Sequence, residues 1–333
     1  MNSTNNATVQ PSTNPDQPYN QIVTILNVTV STLGILANSL VLISASLKII
    51  KTTSFILLLL NLSLADIVMN VCMLLHLFIE ERHFHASNVV VAAVICVVVA
   101  ETDPLYIAVF VNTVTMTYIS FLRSHTFSTA NKYKRNALKK KRVIWGIAIL
   151  WFLGILCLLP NYFIFEIDAN NGCVTTKREF YNIYGAVVGI LVCKIPLAVL
   201  ILNSLRTMLS MWKNSYIDQS VVFHHRKNIS VLVISLLVSY ICLATPNAIK
   251  LCLKAAGQLP EDQHSVTNDV FLLVTTFTSI VDPVIYMFCW SGFRNGFREN
   301  LKTLRKEKKV HRISCKSTDT AITNISCISI NSV

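Results

Sequence analysis

Residues 54–79 read SFILLLLNLSLADIVMNVCMLLHLFI, an apolar stretch long enough to cross a lipid bilayer. A helix needs roughly 20 apolar residues to span the hydrocarbon core. Lipid cannot hydrogen-bond an exposed backbone, so a spanning segment must be a helix or part of a closed barrel. Barrel strands are about 10 residues long and alternate between polar and apolar residues. This stretch is longer and does not alternate. It therefore predicts a transmembrane helix.

Six further long apolar stretches accompany this one. The chain of 333 residues is 53% hydrophobic and only 14% charged, with a mean hydropathy of +0.54. A soluble domain carries about 25% charged residues, so the apolar content exceeds what one water-soluble core needs. The sequence predicts an all-α integral membrane protein with seven transmembrane helices. They are expected over residues 20–47, 54–79, 89–121, 142–165, 181–211, 228–253 and 267–289.

Basic residues concentrate in alternate connections between these segments. The run Lys139–Arg142, the pair Arg226–Lys227 and the basic tail after the seventh segment all fall on one side. Because cytoplasmic loops are enriched in Lys and Arg, we expect the C-terminus inside the cell and the N-terminus outside. A basic inner face that meets anionic lipid headgroups also accounts for the net charge of +12 without nucleic acid.

The segments outside the helices divide the chain into three regions. Residues 1–19 are polar and are expected to be extracellular, with glycosylation sequons at Asn2 and Asn6. Residues 20–306 are the expected seven-helix domain with an amphipathic eighth helix, and 307–333 are an expected disordered cytoplasmic tail rich in Ser and Thr. No cleaved signal peptide is predicted. Two further sequons, at Asn27 and Asn61, fall inside membrane helices and are predicted to be unused.

Polar residues inside the predicted helices are candidates for function, because ionisable groups in a membrane are costly. Asp66 lies mid-helix, where a bare carboxylate tends to become protonated or to find a partner. Two carboxylates with amide and hydroxyl oxygens can hold a monovalent cation such as sodium, whereas a hydrogen-bonded packing contact is the alternative. The residues expected at similar depth are Asn38, Asp66, Asn112, Ser279 and Asp282.

Four prolines are expected within helices, where each removes a backbone hydrogen bond and can kink the helix. They are Pro160, Pro196, Pro246 and Pro283. The last three are candidate hinges, and static helix shape is the alternative interpretation.

These landmarks, in this order and spacing, resemble those of the rhodopsin-like family of G-protein-coupled receptors. The residues that carry the resemblance are Ala37-Asn38-Ser39-Leu40-Val41 in the first helix, Leu62-Ser63-Leu64-Ala65-Asp66 in the second, Trp151 and Pro160 in the fourth, Pro196 in the fifth and Asp282-Pro283-Val284-Ile285-Tyr286 in the seventh. The eighth helix would place Phe293 and Phe297 toward lipid.

The resemblance implies a plasma-membrane receptor rather than an enzyme. An extracellular ligand would bind in an outer cavity, and a heterotrimeric G protein would couple at the inner face through Arg123 and Tyr286. Asp66 would hold a sodium ion, and phosphorylation of the tail would recruit an arrestin-type partner. The family also joins the outer end of the third helix to the second outer loop by a disulfide, for which Cys96 and Cys173 are the candidates here.

Several switch residues of the family are altered. The third helix ends Leu122-Arg123-Ser124, without the acidic neighbour that pairs with arginine in the family. The sixth-helix tryptophan position is Ala244, and the preceding aromatic residue is Tyr240. These departures either raise basal activity or are compensated by other residues. A constitutively active or non-signalling relative is therefore the main alternative function.

The resemblance also implies that charged side chains of both signs line the outer cavity. Glu101 and Asp103 stand against Lys194 and Lys250. They either contact a charged ligand, or pair with one another or reach water, and the sequence leaves both open.

Asn247 and Thr276 stand where amine receptors carry aromatic residues for cation–π contact, which argues against an ordinary amine site. Thr276 also replaces the retinal-binding lysine, so no retinal is expected. A small molecule or a peptide remains as the ligand class.

Other classes of membrane protein fit the sequence less well. A transporter would also bury Asp66 and Asp282. The two halves of many transporters are related by an internal repeat, and the two halves of this sequence show no such similarity. The chain contains no His-Glu-x-x-His, no Gly-x-Ser-x-Gly and no phosphate loop. No enzymatic activity is therefore predicted.

Overall fold

Helices form where the apolar stretches predict them. A computed structural model describes residues 17–47, 53–80, 103–128, 140–160, 165–167, 173–175, 187, 195–215, 221–243, 245–255, 266–289 and 293–295. The helices in these ranges are α1 (Gln17–Ser46), α2 (Ser54–Glu80), α3 (Asp103–Ser128), α4 (Lys140–Leu158), α5 (Ile195–Ser215), α6 (Val221–Leu243), α7 (Thr245–Ala255), α8 (Val266–Thr276) and α9 (Thr278–Cys289).

Four helical stretches of the described chain are long and apolar enough to cross a membrane. They are Gln21–Ser46, Ser54–Phe78, Leu105–Leu122 and Val270–Cys289, the last formed by α8 and α9 together. Shorter apolar helices cover Ile195–Ser210 and Ser230–Leu243. The expectation of apolar membrane helices is confirmed. Residues 89–102 of the third predicted segment, and 181–186 and 188–194 of the fifth, lie outside the described residues.

The seventh predicted segment consists of two helices, α8 and α9, divided at Phe277. The sixth contains α6 and α7, on either side of Ala244, which lies outside the described residues. Pro283 lies inside α9. Because proline has no N–H, it cannot donate to the carbonyl four residues earlier, which belongs to Ser279.

The predicted end of the fourth helix at residue 165 is wrong. The helix α4 stops at Leu158, and Phe165–Ile167 form a short strand, β1, antiparallel to β2 (Cys173–Thr175). Pro160 disfavours helical conformation in the residue before it. It therefore lies past the end of α4 instead of kinking its interior.

The helix α3 lies at the centre of the described bundle. It packs against α2, α4, α5 and α6, while α1 packs against α2, α8 and α9. Leu62, Ile119 and Leu236 are fully buried in one core cluster, and Met73 and Val111 in a second.

The outer surface of the described helices is apolar. Leu40 is 64% exposed and Phe152 is 60% exposed, whereas Asn38 and Asp66 are completely buried. Polar groups inside and apolar groups outside are what a bundle dissolved in lipid requires.

Phe293 does not face outward as the sequence suggested. It is buried and packs in the cluster that contains Tyr286. The next residue, Arg294, donates a hydrogen bond to the carbonyl of Phe288 at the end of α9. Phe297 and most of the predicted eighth helix lie outside the described residues.

Candidate functional site

Asp66 and Asn112 meet in the interior of the bundle. Asp66 lies on α2 with none of its surface exposed, and Asn112 lies on α3. The Nδ2 atom of Asn112 donates a hydrogen bond to Oδ1 of Asp66 over 2.7 Å. The second carboxylate oxygen, Oδ2, has no hydrogen-bond partner in the described part of the chain.

Asn38 joins α1 to α9 at the carbonyl that Pro283 leaves without a helical donor. Its Nδ2 atom donates to the backbone carbonyl of Ser279 over 2.7 Å, and to that of Gly34 over 3.1 Å. Asn38 and Ser279 are both completely buried. A side chain of the first helix thus satisfies a backbone group of the last.

Asp282 brings α6 into the same polar cluster. It is 7% exposed, and its Oδ1 accepts a 3.4 Å hydrogen bond from the hydroxyl of Ser239. The carboxylates of Asp282 and Asp66 interact electrostatically. We did not identify Ser239 from the sequence, because it is one of several hydroxyl residues within an apolar run and no local pattern separates it from Ser235.

A cavity of about 20 Å³ lies beside this cluster, and Asn112, Ser239 and Asp282 supply polar groups to its wall. That volume exceeds the roughly 10–15 Å³ that one water molecule requires. Met69 and Leu236 contribute apolar wall. The space therefore suits a single small polar occupant.

The oxygens of the cluster fit a hard cation. Within the described residues, Asn38 Oδ1, Asp66 Oδ2, Asn112 Oδ1 and Ser279 Oγ are buried and have no hydrogen-bond partner. Leaving such groups unpaired costs free energy, and oxygen-only sets select hard cations. No group of three or more His, Cys, Asp or Glu residues that could hold a metal occurs in the described ranges.

A second buried polar contact connects α2, α3 and α4. The indole Nε1 of Trp151 donates to Oδ1 of Asn61 over 2.9 Å, and Nδ2 of Asn61 donates to Thr115 over 2.8 Å. Asn61 and Asn27 are both buried, where neither side chain is accessible for glycosylation.

Hydroxyl groups tie α3 to α5 and α6. The hydroxyls of Thr113 and Tyr240 are 2.5 Å apart, joining α3 to α6. Thr117 donates to the carbonyl of Pro196 over 3.1 Å, and the hydroxyls of Ser120 and Ser204 are 3.0 Å apart. Sequence reasoning missed Thr113, because no local pattern indicates which helix a membrane threonine faces.

Of the six predicted ligand residues, the structure describes the side chains of Asn247, Lys250 and Thr276. Asn247 and Thr276 are buried, with Thr276 donating to the carbonyl of Leu273. The ammonium of Lys250 lies 5.3 Å from the centre of the Phe271 ring, a cation–π distance. Glu101 and Lys194, and the side chain of Asp103, lie outside the described residues.

Some predicted site residues are described only in part. Tyr286 is 1% exposed and interacts electrostatically with Asp282 and Asp66. Arg123 lies on α3 and Cys173 in β2, but their side chains are outside the described part. Cys96, Asn2, Asn6 and Ala244 lie wholly outside it. Of the candidate hinges, Pro196 and Pro246 are the second residues of α5 and α7, and Pro283 is internal to α9.

The sequence matches the profile of the 7 transmembrane receptor (rhodopsin family) over residues 37–286. The chain belongs to this family. It is therefore a multi-pass membrane protein with a seven-helix receptor fold, and the family is one of signalling receptors that bind ligands and couple to G proteins, not of enzymes. No curated protein matches the chain.

Proposed function

We propose that this receptor binds an extracellular ligand between the outer ends of its helices and activates a heterotrimeric G protein at its inner face. The observation that carries the proposal is the buried polar cluster around Asp66. It takes side chains from α1, α2, α3, α6 and α9, so any rearrangement of these helices must alter it. Such a cluster can couple two ends of a bundle by biasing two packings.

The proposed inactive packing is held by contacts of α6. Tyr240 binds Thr113 on α3, and Ser239 binds Asp282 on α9. These contacts take the place of the acidic residue absent at Leu122 and the tryptophan absent at Ala244. An agonist would weaken them and release α6.

A sodium ion is the proposed occupant of the polar cluster. Support comes from the buried oxygens without partners on Asn38, Asp66, Asn112 and Ser279. Their pairing with a cation would remove the cost of desolvation and favour the inactive packing, because the cation contacts several helices at once.

The ligand is proposed to be a small molecule or a peptide, in contact with the outer parts of the third, fifth, sixth and seventh transmembrane segments. Candidate contacts are Glu101, Asp103, Lys194, Asn247, Lys250 and Thr276. The inner face, basic tail and Ser/Thr-rich C-terminal residues would serve the G protein, anionic lipid and an arrestin-type partner.

Basal G-protein activation by the wild-type chain and Arg123→Ala, at matched surface levels, tests this proposal. We expect a basal signal that Arg123→Ala removes. Arg178→Ala is the matched control, since Arg178 lies between the fourth and fifth predicted segments, on the expected outer side of the membrane, and it should keep the signal. A wild-type signal that persists unchanged in Arg123→Ala would contradict coupling through this residue.

The alternative is a relative that does not signal, and Leu122 and Ala244 favour it. Silence of wild type and variants alike across a panel of G proteins would support this alternative. A current or ion flux carried by the wild type would instead indicate a transporter or channel.

A further inference from the structure

Gly34 on α1 lies directly against the carboxamide of Asn70 on α2. A Cβ atom added at Gly34 would lie 3.0 Å from both Nδ2 and Oδ1 of Asn70, and 3.1 Å from its Cγ. Such separations are tighter than ordinary van der Waals contact, so a side chain at this position requires Asn70 to move.

Asn70 is not free to move. It is completely buried, and its Nδ2 donates to the backbone carbonyl of Asp66 over 2.6 Å. Close packing leaves few alternative positions for a buried amide. Displacing Asn70 therefore strains the segment that carries the Asp66 carboxylate, whose Oδ1 accepts the 2.7 Å bond from Asn112.

The backbone of Gly34 contacts the other half of the polar cluster. Its carbonyl accepts the 3.1 Å hydrogen bond from Asn38, the same amide that donates to Ser279. Gly34 thus contacts Asn70, which binds the Asp66 backbone, and Asn38, which binds the Ser279 backbone.

We propose that Gly34 is a positioning residue for the cation site. Its missing side chain lets α1 approach α2 closely enough to hold Asp66 and Ser279 at the separation that the ion needs. This inference rests on the proposed sodium site. In it, Gly34 sets the spacing of the ion's ligands without supplying a ligand of its own.

Two other glycines provide matched controls. A Cβ at Gly154 would lie 3.1 Å from Ile107 and 3.2 Å from Phe110, a similarly tight contact between α4 and α3 but with apolar neighbours. A Cβ at Gly146 would meet nothing within 4 Å. Gly146→Ala thus reports the change in helix propensity alone, and Gly154→Ala adds steric crowding away from the polar cluster.

The experiment measures thermal unfolding of the purified full-length receptor across a sodium titration, with choline chloride keeping ionic strength constant. We expect sodium to raise the Tm of wild type. Gly34→Ala should raise the sodium concentration at half-effect by about 10-fold to 100-fold, the usual loss when a residue that orients metal ligands is changed. Gly154→Ala and Gly146→Ala should keep the wild-type midpoint, whatever their Tm in choline. An unchanged midpoint in Gly34→Ala would overturn the proposal.

A second comparison tests the route through Asn70. In an Asn70→Ala background, Gly34→Ala has no carboxamide to displace and should shift the sodium midpoint no further. A full additional shift in that background would overturn the mechanism.

If sodium does not raise the Tm of wild type, the cation site itself is rejected. The positioning role is then decided by a double-mutant cycle in choline, combining Gly34→Ala with Asp66→Asn. If the changes in Tm of the two single variants do not add up to that of the double variant, Gly34 and Asp66 are coupled. Additive changes in Tm would reject this coupling.

Discussion

Asp66 has one carboxylate oxygen bound to Asn112 and one without a partner among the described residues. In a fully buried position an isolated charge is strongly unfavourable, so this oxygen calls for a proton or a cation. Asp282 interacts electrostatically with Asp66, and two buried carboxylates are costly to keep ionised together without a cation beside them.

Replacing Asp66 by Asn keeps the shape of the side chain and removes its charge. We expect Asp66→Asn to abolish the rise in Tm that sodium gives the wild type. Ser120→Ala is a suitable control, because Ser120 binds Ser204 across α3 and α5 and is outside the cation set. Full sodium stabilisation of Asp66→Asn would show that the ion binds elsewhere.

The described part of α6 makes polar contacts to two other helices. Ser239 binds Asp282 on α9, and Tyr240 binds Thr113 on α3. Apolar residues of α6 pack in the core cluster, and apolar packing is not directional. The two hydrogen bonds therefore fix how α6 is rotated against α3 and α9.

Tyr240→Phe removes only the hydroxyl that binds Thr113. A buried hydrogen bond contributes about 1 kcal/mol, which corresponds to roughly a fivefold change in the balance of two packings. We expect about a fivefold rise in basal G-protein activation at matched surface level. Tyr118→Phe removes a hydroxyl from a residue that is 37% exposed on α3 and should leave basal activity unchanged. A fall in activity for Tyr240→Phe would mean that the bond stabilises the active packing.

The helix α9 depends on α1 because of one proline. Pro283 leaves the Ser279 carbonyl without a helical donor, and Asn38 supplies the hydrogen bond. The hydrogen bond from Asn38 to the Ser279 carbonyl thereby connects the first and last transmembrane helices.

A double-mutant cycle between Asn38 and Pro283 tests that link. Asn38→Ala should lower stability by about 1 kcal/mol, within the range for interhelical hydrogen bonds in membranes. In a Pro283→Ala background the helix can supply its own donor, so the same change should cost clearly less. Equal losses of unfolding free energy in both backgrounds would contradict this account.

At the scale of the whole molecule, the described helices present apolar side chains outward and polar ones inward, as a membrane bundle does. The basic residues give this bundle its expected orientation. The polar residues 1–19 and the basic tail should therefore lie on opposite sides of the membrane.

Epitope tags at the two ends test this topology. We expect an N-terminal tag to bind antibody on intact cells, and a C-terminal tag only after permeabilisation. Changing Asn2 and Asn6 together to Gln should remove a glycosidase-sensitive shift in mobility, whereas Asn61→Gln should not. Antibody labelling of the C-terminal tag on intact cells would contradict the proposed orientation.

Hydropathy and local motifs alone predicted the membrane helices and the family, because length and polarity in lipid are properties of each segment. The five residues of the candidate cation site also come from the sequence, and their role stays a prediction. The end of α4, the division of the seventh segment and the burial of Phe293 were not predicted, since they depend on backbone hydrogen bonds and packing. Only the tertiary structure decided which side chains pair. Asn112 and Asp66 are 46 residues apart in sequence, and Asn38 and Ser279 are 241 apart. Their pairing, the roles of Ser239 and Thr113, and the contact of Gly34 with Asn70 depend on how each helix is rotated against its neighbours, and no single segment encodes that rotation.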